Sequence, residues 1–251
     1  MTKPALLVLE DGTTFRGRSF GAGARAHGEV VFATAMTGYQ EMLTDPSFAG
    51  QVLVLTYPMA GNYGINRDDI ESKRIQVRGL VVHEACALPS HWRSDMTLGE
   101  YLASEDIPGI AGIDTRALTR KLRNAGVMMG AVTTDETVDE ALARLRSAPA
   151  YGQVDLVREV STNEPYEWDA TSRGSGSQPD RHIVVVDSGV KYNILRLLGQ
   201  RGCRTTVLPP DSDAETILAQ DPDGILFSPG PGDPAFLDYQ VSTVRSLIGK
   251  A

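Results

Sequence analysis

From residue 181 onward, short apolar runs alternate with amphipathic stretches, and few folds accept that order. Residues 182–187 are apolar almost throughout, as a parallel strand buried on both faces requires. Residues 190–200 carry Ile194, Leu195, Leu197 and Leu198 on or near one helical face, with Gly202 beyond it. Residues 204–208 give a second strand, Asp213 caps a helix through Gln220, and 223–228 give a third strand. Pro229-Gly-Pro-Gly-Asp-Pro234 and a last helix follow. Strand then helix, three times over, predicts a parallel, doubly wound α/β sheet. Three strands are few for such a sheet, so the expectation is an incomplete second domain. The outer edge of its third strand and the face of Phe236, Leu237, Val244 and Leu247 would be short of cover.

The first 160 residues read differently. Residues 5–10 and 14–18 flank Asp11-Gly12, a hairpin signal. Residues 51–57 and 77–83 are apolar, β-branched runs that suit buried strands. Thr97-Leu-Gly-Glu100 and Thr137-Val-Asp-Glu140 have capping-box spacing. Asp114 caps a helix over 115–124, with Gly126 as its stop. This order predicts an α+β domain over 1–160. Ser, Gly, Pro and Asp crowd residues 161–181, which read as a linker to a second domain at 182–251.

Charge and composition exclude several classes. The 251 residues carry 24 Lys and Arg against 32 Asp and Glu, a net −8. Such a chain is a poor nucleic-acid or anionic-membrane binder. No run approaches the roughly 18 apolar residues of a membrane span. The N-terminus reads as a strand and turn rather than a secretory signal. Cys86 and Cys203 cannot build a disulfide framework, and the four His show no zinc-ligand spacing with them. A soluble cytosolic protein is the default expectation.

The turn Ser228-Pro-Gly-Pro-Gly-Asp-Pro234 sits where open α/β sheets bind ligands. Its prolines have no N–H, which leaves Gly230, Gly232 and Asp233 as donors. Fixed N–H groups suit the developing oxyanion of acyl transfer from an amide; a rigid turn without a ligand is the plain alternative. Asp187-Ser188-Gly189 offers either a hydroxyl nucleophile or an N-cap. Capping is the stronger reading, because Ser188 lacks a Gly-x-Ser-x-Gly elbow. Cys203 lies between Arg201 and Arg204 but reads as a small residue entering a strand, and Cys86 is equally plain. His27, His83, His91 and His182 have no partner at triad or ligand spacing. The basic run 116–123 reads as a solvated helix face, with a partner surface as the alternative. Ser47, after Asp45-Pro46, offers a hydroxyl to a polar ligand.

Longer matches add a resemblance. Gly28-Glu-Val-Val-Phe-Ala-Thr-Ala-Met-Thr-Gly-Tyr-Gln-Glu-Met-Leu-Thr-Asp-Pro-Ser-Phe48 resembles the glutamine-dependent carbamoyl-phosphate synthase small chain. Leu55-Thr-Tyr-Pro-Met-Ala-Gly-Asn-Tyr-Gly-Ile-Asn66, Gly112-Ile-Asp-Thr-Arg-Ala-Leu-Thr-Arg120, Asp187-Ser-Gly-Val-Lys-Tyr-Asn-Ile-Leu-Arg196 and Phe227-Ser-Pro-Gly-Pro-Gly-Asp-Pro234 extend the match over nearly the whole chain. The Pro-Gly-Pro-Gly turn alone would also suit anthranilate-synthase or GMP-synthetase amidotransferases; the first domain points to carbamoyl phosphate.

The resemblance implies a family-specific α+β domain followed by the first half of a flavodoxin-like, parallel-sheet class I amidotransferase domain. It implies L-glutamine as substrate, touched by Ser47, Gly230 and Gly232, with Gly230 at the oxyanion hole. It implies ammonia passed to a large subunit that uses ATP, magnesium and bicarbonate for arginine and pyrimidine synthesis. No cofactor is expected in this chain, and no nucleic acid or membrane partner. The family's Gly-x-Cys-x-Gly-His-Gln elbow and His-Pro-Glu do not occur here. Cys86 and Cys203 do not match that motif, so no catalytic residue is assigned. The expectation is a small chain cut short before its nucleophile. A non-catalytic docking or regulatory partner of the large subunit is the alternative.

Overall fold

A computed structural model describes residues 3–169 and 181–250. The chain divides into Met1–Val154 and Asp155–Ala251. The first unit runs β1 (Pro4–Leu9), β2 (Thr14–Gly21), β3 (Ala26–Ala33), α1 (Tyr39–Thr44), β4 (Gln51–Leu55), β5 (Met59–Ala60), β6 (Gly79–Val81), β7 (Glu84–Ala85), α2 (Leu98–Ser104), β8 (Pro108–Ala111), α3 (Thr115–Ala125), β9 (Met128–Thr133) and α4 (Val138–Ser147). Seven of its strands close into a barrel in the order β1-β2-β8-β6-β4-β3-β9.

Alternation explains the barrel. Ala5, Leu7 and Leu9 of β1 share a core with Val52, Val54, Val81 and Ile110, and Leu118 and Leu122 of α3 complete it. The intervening Val8 packs instead with Ala131 under Ala141 and Leu145 of α4. Likewise Leu53 and Leu55 pack with Leu43 of α1 and Leu98 and Leu102 of α2. Strand β4 is therefore covered on both faces, which is why it is apolar without a break after Gln51. The β1–β2 hairpin forms as the sequence indicates, Leu7 facing Phe15 across the pair. Strands β8 and β9, and the closure they allow, were not legible in the sequence. Pro-Gly-Ile-Ala and Met-Met-Gly-Ala-Val-Thr carry little β-branched or alternating signal.

The helix starts follow local chemistry. In α2 and α4 the expected capping boxes are complete. Glu100 N donates to Thr97 Oγ1 at 3.1 Å and Thr97 N to Glu100 Oε2 at 2.8 Å. Thr137 and Glu140 repeat the arrangement. Ala117 N donates to Asp114 Oδ1 at 2.8 Å, and Gly126 ends α3 at φ 85°.

Beside α4, Arg144 donates two hydrogen bonds to Glu136, at 2.9 and 2.7 Å, and its Nη1 lies 3.2 Å from His27 Nδ1. The Arg144 fork holds the Glu136 carboxyl below its usual range. Burial, then the Arg144 charge, lowers the His27 imidazole. Both titrations act in one direction: each group binds protons more readily unfolded than folded, so stability falls as pH falls. The loss begins below about 6.5, where unfolded His27 charges, and continues below about 4.5 through Glu136. His27→Gln is expected to flatten the fall in melting temperature between pH 7.5 and 5.5, leaving the steeper fall at lower pH. An unchanged slope would contradict this origin.

The second unit contains α5 (Val157–Val160), β10 (Tyr166–Glu167), β11 (Arg181–Val186), α6 (Tyr192–Gln200), β12 (Cys203–Leu208), α7 (Ala214–Leu218), β13 (Gly224–Phe227) and α8 (Asp238–Leu247). Its sheet has the order β10-β12-β11-β13. Strands β12, β11 and β13 are parallel, as the alternation of elements requires. Strand β10 is antiparallel, Tyr166 facing Val207. It lies within the stretch read as a linker, 161–181. Trp168, its ring 5.1 Å from that of Tyr192, and Tyr166 pack against the Val185–Leu195–Val207 core. Residues 170–180 of that stretch lie outside the described residues.

Val184–Val186 of β11 are fully buried, whereas every residue of β13 is half-buried. Of the face expected to lack cover, Phe236 is exposed, but Leu247 packs with Val184, Val186, Leu208 and Ile217. Among the described residues, no helix is long and apolar enough to cross a membrane, and no group of three or more His, Cys, Asp or Glu could hold a metal ion.

Candidate functional site

The carboxyl ends of β11, β12 and β13 share one edge of the sheet. Two loops meet there. The first, after β11, is built by Asp187. Its Oδ1 accepts from Gly189 N and Val190 N, both at 2.8 Å, and its Oδ2 accepts from Thr162 N at 2.7 Å. Helix α6 therefore starts at Tyr192 rather than at 190, and Asp187-Ser188-Gly189 does not cap it. Asp187 is a loop builder, and Gly189, at φ 118°, supplies the turn. Tyr166 and Tyr192 face the same carboxylate; burial first, and then that charge, raises both hydroxyl pKa values.

The second loop follows β13. Ser188 N donates to Ser228 Oγ at 2.8 Å, and Ser228 Oγ donates to Pro229 O at 3.0 Å. A Cβ built on Gly230 would stand 1.9 Å from the Ser188 carbonyl oxygen. Gly230 is thus fixed by the contact between the two loops, a packing reason that the sequence did not reveal. Gly232 has φ 81°. The N–H groups of Gly230, Gly232 and Asp233 make no hydrogen bond among the described residues. Three donors thus remain open on a rigid loop at the ligand edge. Below them Gln240 Nε2 donates to Ser188 Oγ at 2.8 Å and to Pro210 O at 3.2 Å, which ties α8 to both neighbouring loops. This occupies the Ser188 hydroxyl and supplies no base, so the nucleophile reading of Ser188 fails. Gln240 had no signal in the sequence beyond its place on a helix.

Ser47 belongs to the first unit. Asp45 Oδ1 accepts from Ser47 N at 2.9 Å and starts the single turn Pro46–Phe48. The Ser47 hydroxyl is half-buried and makes no hydrogen bond among the described residues. The polar residues ahead of it are anchors. Gln40 is bonded on both amide atoms to the Asn66 backbone, and Thr44 Oγ1 accepts from Glu71 N at 2.9 Å. Tyr63, stacked on Tyr39 at 4.2 Å, accepts from Gly38 N at 2.7 Å and does for α1 what a capping side chain would do.

The thiols lie elsewhere. Cys203 opens β12 opposite Arg181, at the end of the sheet away from the Pro-Gly loop. Cys86 lines a cavity of about 560 Å³ in the first unit, where its Sγ donates to Leu88 O at 3.3 Å. His83 lines the same cavity, and its Nδ1 lies 3.0 Å from Ile113 O. Among the described residues, neither cysteine is hydrogen-bonded to an imidazole. His182 Nε2 meets Thr206 Oγ1 at 2.8 Å, and that hydroxyl donates to Glu167 at 2.7 Å. His182 therefore carries its N–H on Nε2, while its buried Nδ1 has no hydrogen-bond partner among the described residues.

A family profile, carbamoyl-phosphate synthase small chain, CPSase domain, matches residues 7–132, and a second, glutamine amidotransferase class-I, matches residues 184–251. The carbamoyl phosphate synthase small chain of Thermosynechococcus vestitus is 50% identical over 99% of this chain and 68% of its own length. That of Nostoc sp. is also 50% identical, over 98% of this chain and 66% of its own. That of Ralstonia nicotianae is 47% identical over 98% and 67%. This chain belongs to the carbamoyl-phosphate synthase small-chain family. It spans about two thirds of the length of these relatives. The resemblance read from the sequence is thereby confirmed, as is its fold class: a small-chain domain followed by the start of a class I amidotransferase domain. Among solved structures, the aminopeptidase from Aneurinibacillus sp. strain AM-1 aligns with a TM-score of only 0.29 at 10% identity, over 84% of this chain and 53% of its own.

Proposed function

We propose that this chain is the glutamine-side subunit of a carbamoyl-phosphate synthase. It would orient L-glutamine so that ammonia leaves its side-chain amide for a larger, cytoplasmic partner subunit. That partner would hold the ATP and magnesium and join ammonia to bicarbonate. The product would feed arginine and pyrimidine synthesis. The observation that carries this reading is the rigid Gly230–Asp233 loop, whose three open N–H donors sit at the ligand edge of an amidotransferase-type sheet. Gly230 and Gly232 would meet the glutamine carbonyl, and Ser47 would give its hydroxyl to the same ligand. Neither cysteine is placed as a nucleophile, so these 251 residues would supply binding and docking without the covalent step. Residues 1–160, 161–181 and 182–251 remain our division into docking domain, linker and partial amidotransferase domain.

The test uses this sequence carried to the length of its relatives and paired with the large subunit. Ser47→Ala is expected to raise the KM for glutamine about tenfold, the effect of one lost hydrogen bond of about 1.4 kcal/mol. Synthesis from added ammonia should be unchanged. An unaltered KM would remove Ser47 from the site, and absence of glutamine-dependent synthesis would remove the reading itself.

A further inference from the structure

Helix α3 is built with a charge pattern that works against its own stability. Leu118 and Leu122 close the barrel core. On the opposite side Arg116, Arg120 and Arg123 recur at i, i+4 and i+7, within about 60° of arc. All three are exposed, and none makes a hydrogen bond or ion pair among the described residues. The helix has no acidic residue, and its fourth cation, Lys121, is paired with Asp11 at 2.5 Å. Like charges at these spacings weaken a helix. Arg116 also sits in the first turn, where the helix dipole disfavours a cation. The neighbouring Asp114 carboxylate is committed to Ala117 N.

Arg25, Arg144 and Arg158 are paired with Asp135, Glu136 and Asp211, whereas Arg16, Arg18, Arg146 and Arg245 are exposed and make no ion pair among the described residues; what sets α3 apart is three such arginines on one helical stripe. On a chain of net charge −8, three uncompensated guanidinium groups on one stripe are a feature kept at a local cost. Guanidinium forks match carboxylates in pairs of parallel hydrogen bonds. We propose that the Arg116–Arg120–Arg123 stripe docks on a carboxylate-rich face of the large subunit. This rests on the reading that such a subunit is the partner, and it names the surface used.

The experiment titrates the 251-residue chain against the large subunit at two salt concentrations. It compares wild type with Arg116→Glu, Arg116→Lys and Arg120→Glu. Arg116→Glu is expected to weaken binding at least about tenfold and to reduce its salt dependence. Its melting temperature should stay equal or rise, because the dipole and the Arg120 pair then become favourable. Arg116→Lys keeps the charge but loses the fork, so its affinity should fall between those of wild type and Arg116→Glu, and Arg120→Glu should weaken binding as Arg116→Glu does. Unchanged affinity in both charge reversals, with wild type bound, would overturn the stripe alone. No binding by wild type would overturn the partner reading with it. Equal affinity of wild type for polyglutamate would show charge attraction without a built surface and would also overturn the proposal.

Discussion

Gly230→Ala is expected to lower the melting temperature of the second unit by more than about 12 °C, the equivalent of roughly 3 kcal/mol in a domain of this size. The new Cβ would stand 1.9 Å from the Ser188 carbonyl oxygen and 2.8 Å from its carbon, both backbone atoms. Ser188 cannot retreat easily. Its own N–H is bound to Ser228, and the next two N–H groups are bound to Asp187. The two loops at the ligand edge must therefore separate or distort. Gly232→Ala should cost less, about 1–2 kcal/mol, from its φ of 81°, which opposes a side chain. Gly23→Ala is the control: nothing lies within 4 Å of its Cβ position, and it should be neutral. Differential scanning calorimetry on the three variants gives the order. A Gly230→Ala protein melting within about 2 °C of wild type would mean that the loops yield. Gly230 would then serve only the close approach of a ligand.

The distinction matters because Gly-Pro punctuation in a sequence does not say why each glycine is there. The strand–loop–helix order of 223–247 was legible, since an apolar strand followed by turn residues has few other readings. The contact of Gly230 with Ser188 was not, because it joins residues 42 apart in sequence through a parallel crossover. Asp187 shows the same limit. A carboxylate after a strand reads locally as a helix cap, yet here it gathers three backbone N–H groups, one of them from Thr162. In the first unit the capping boxes at Thr97 and Thr137 were legible to the residue, being contacts across three positions. The barrel was not, since its closure depends on β8 and β9, whose short glycine-containing stretches carry no alternation. Long-range pairing, not local propensity, makes them strands.

Cys203 was correctly read as a small residue entering a strand. It heads a six-residue strand whose other end reaches the ligand edge, so about 17 Å of extended chain separates the thiol from the donor loop. Cys86 donates its S–H to a backbone carbonyl, and no base is hydrogen-bonded to it among the described residues. Amide hydrolysis by a thiol needs a thiolate and a proton shuttle. Open N–H donors can stabilise an oxyanion only after something has attacked.

Ammonia release from glutamine by the purified 251-residue chain puts this division most directly at risk. With wild type, Cys86→Ser and Cys203→Ser measured side by side, all three should match buffer alone. Steady release above buffer by the wild type, lost when either cysteine becomes serine, would show that a thiol reaches the amide after all.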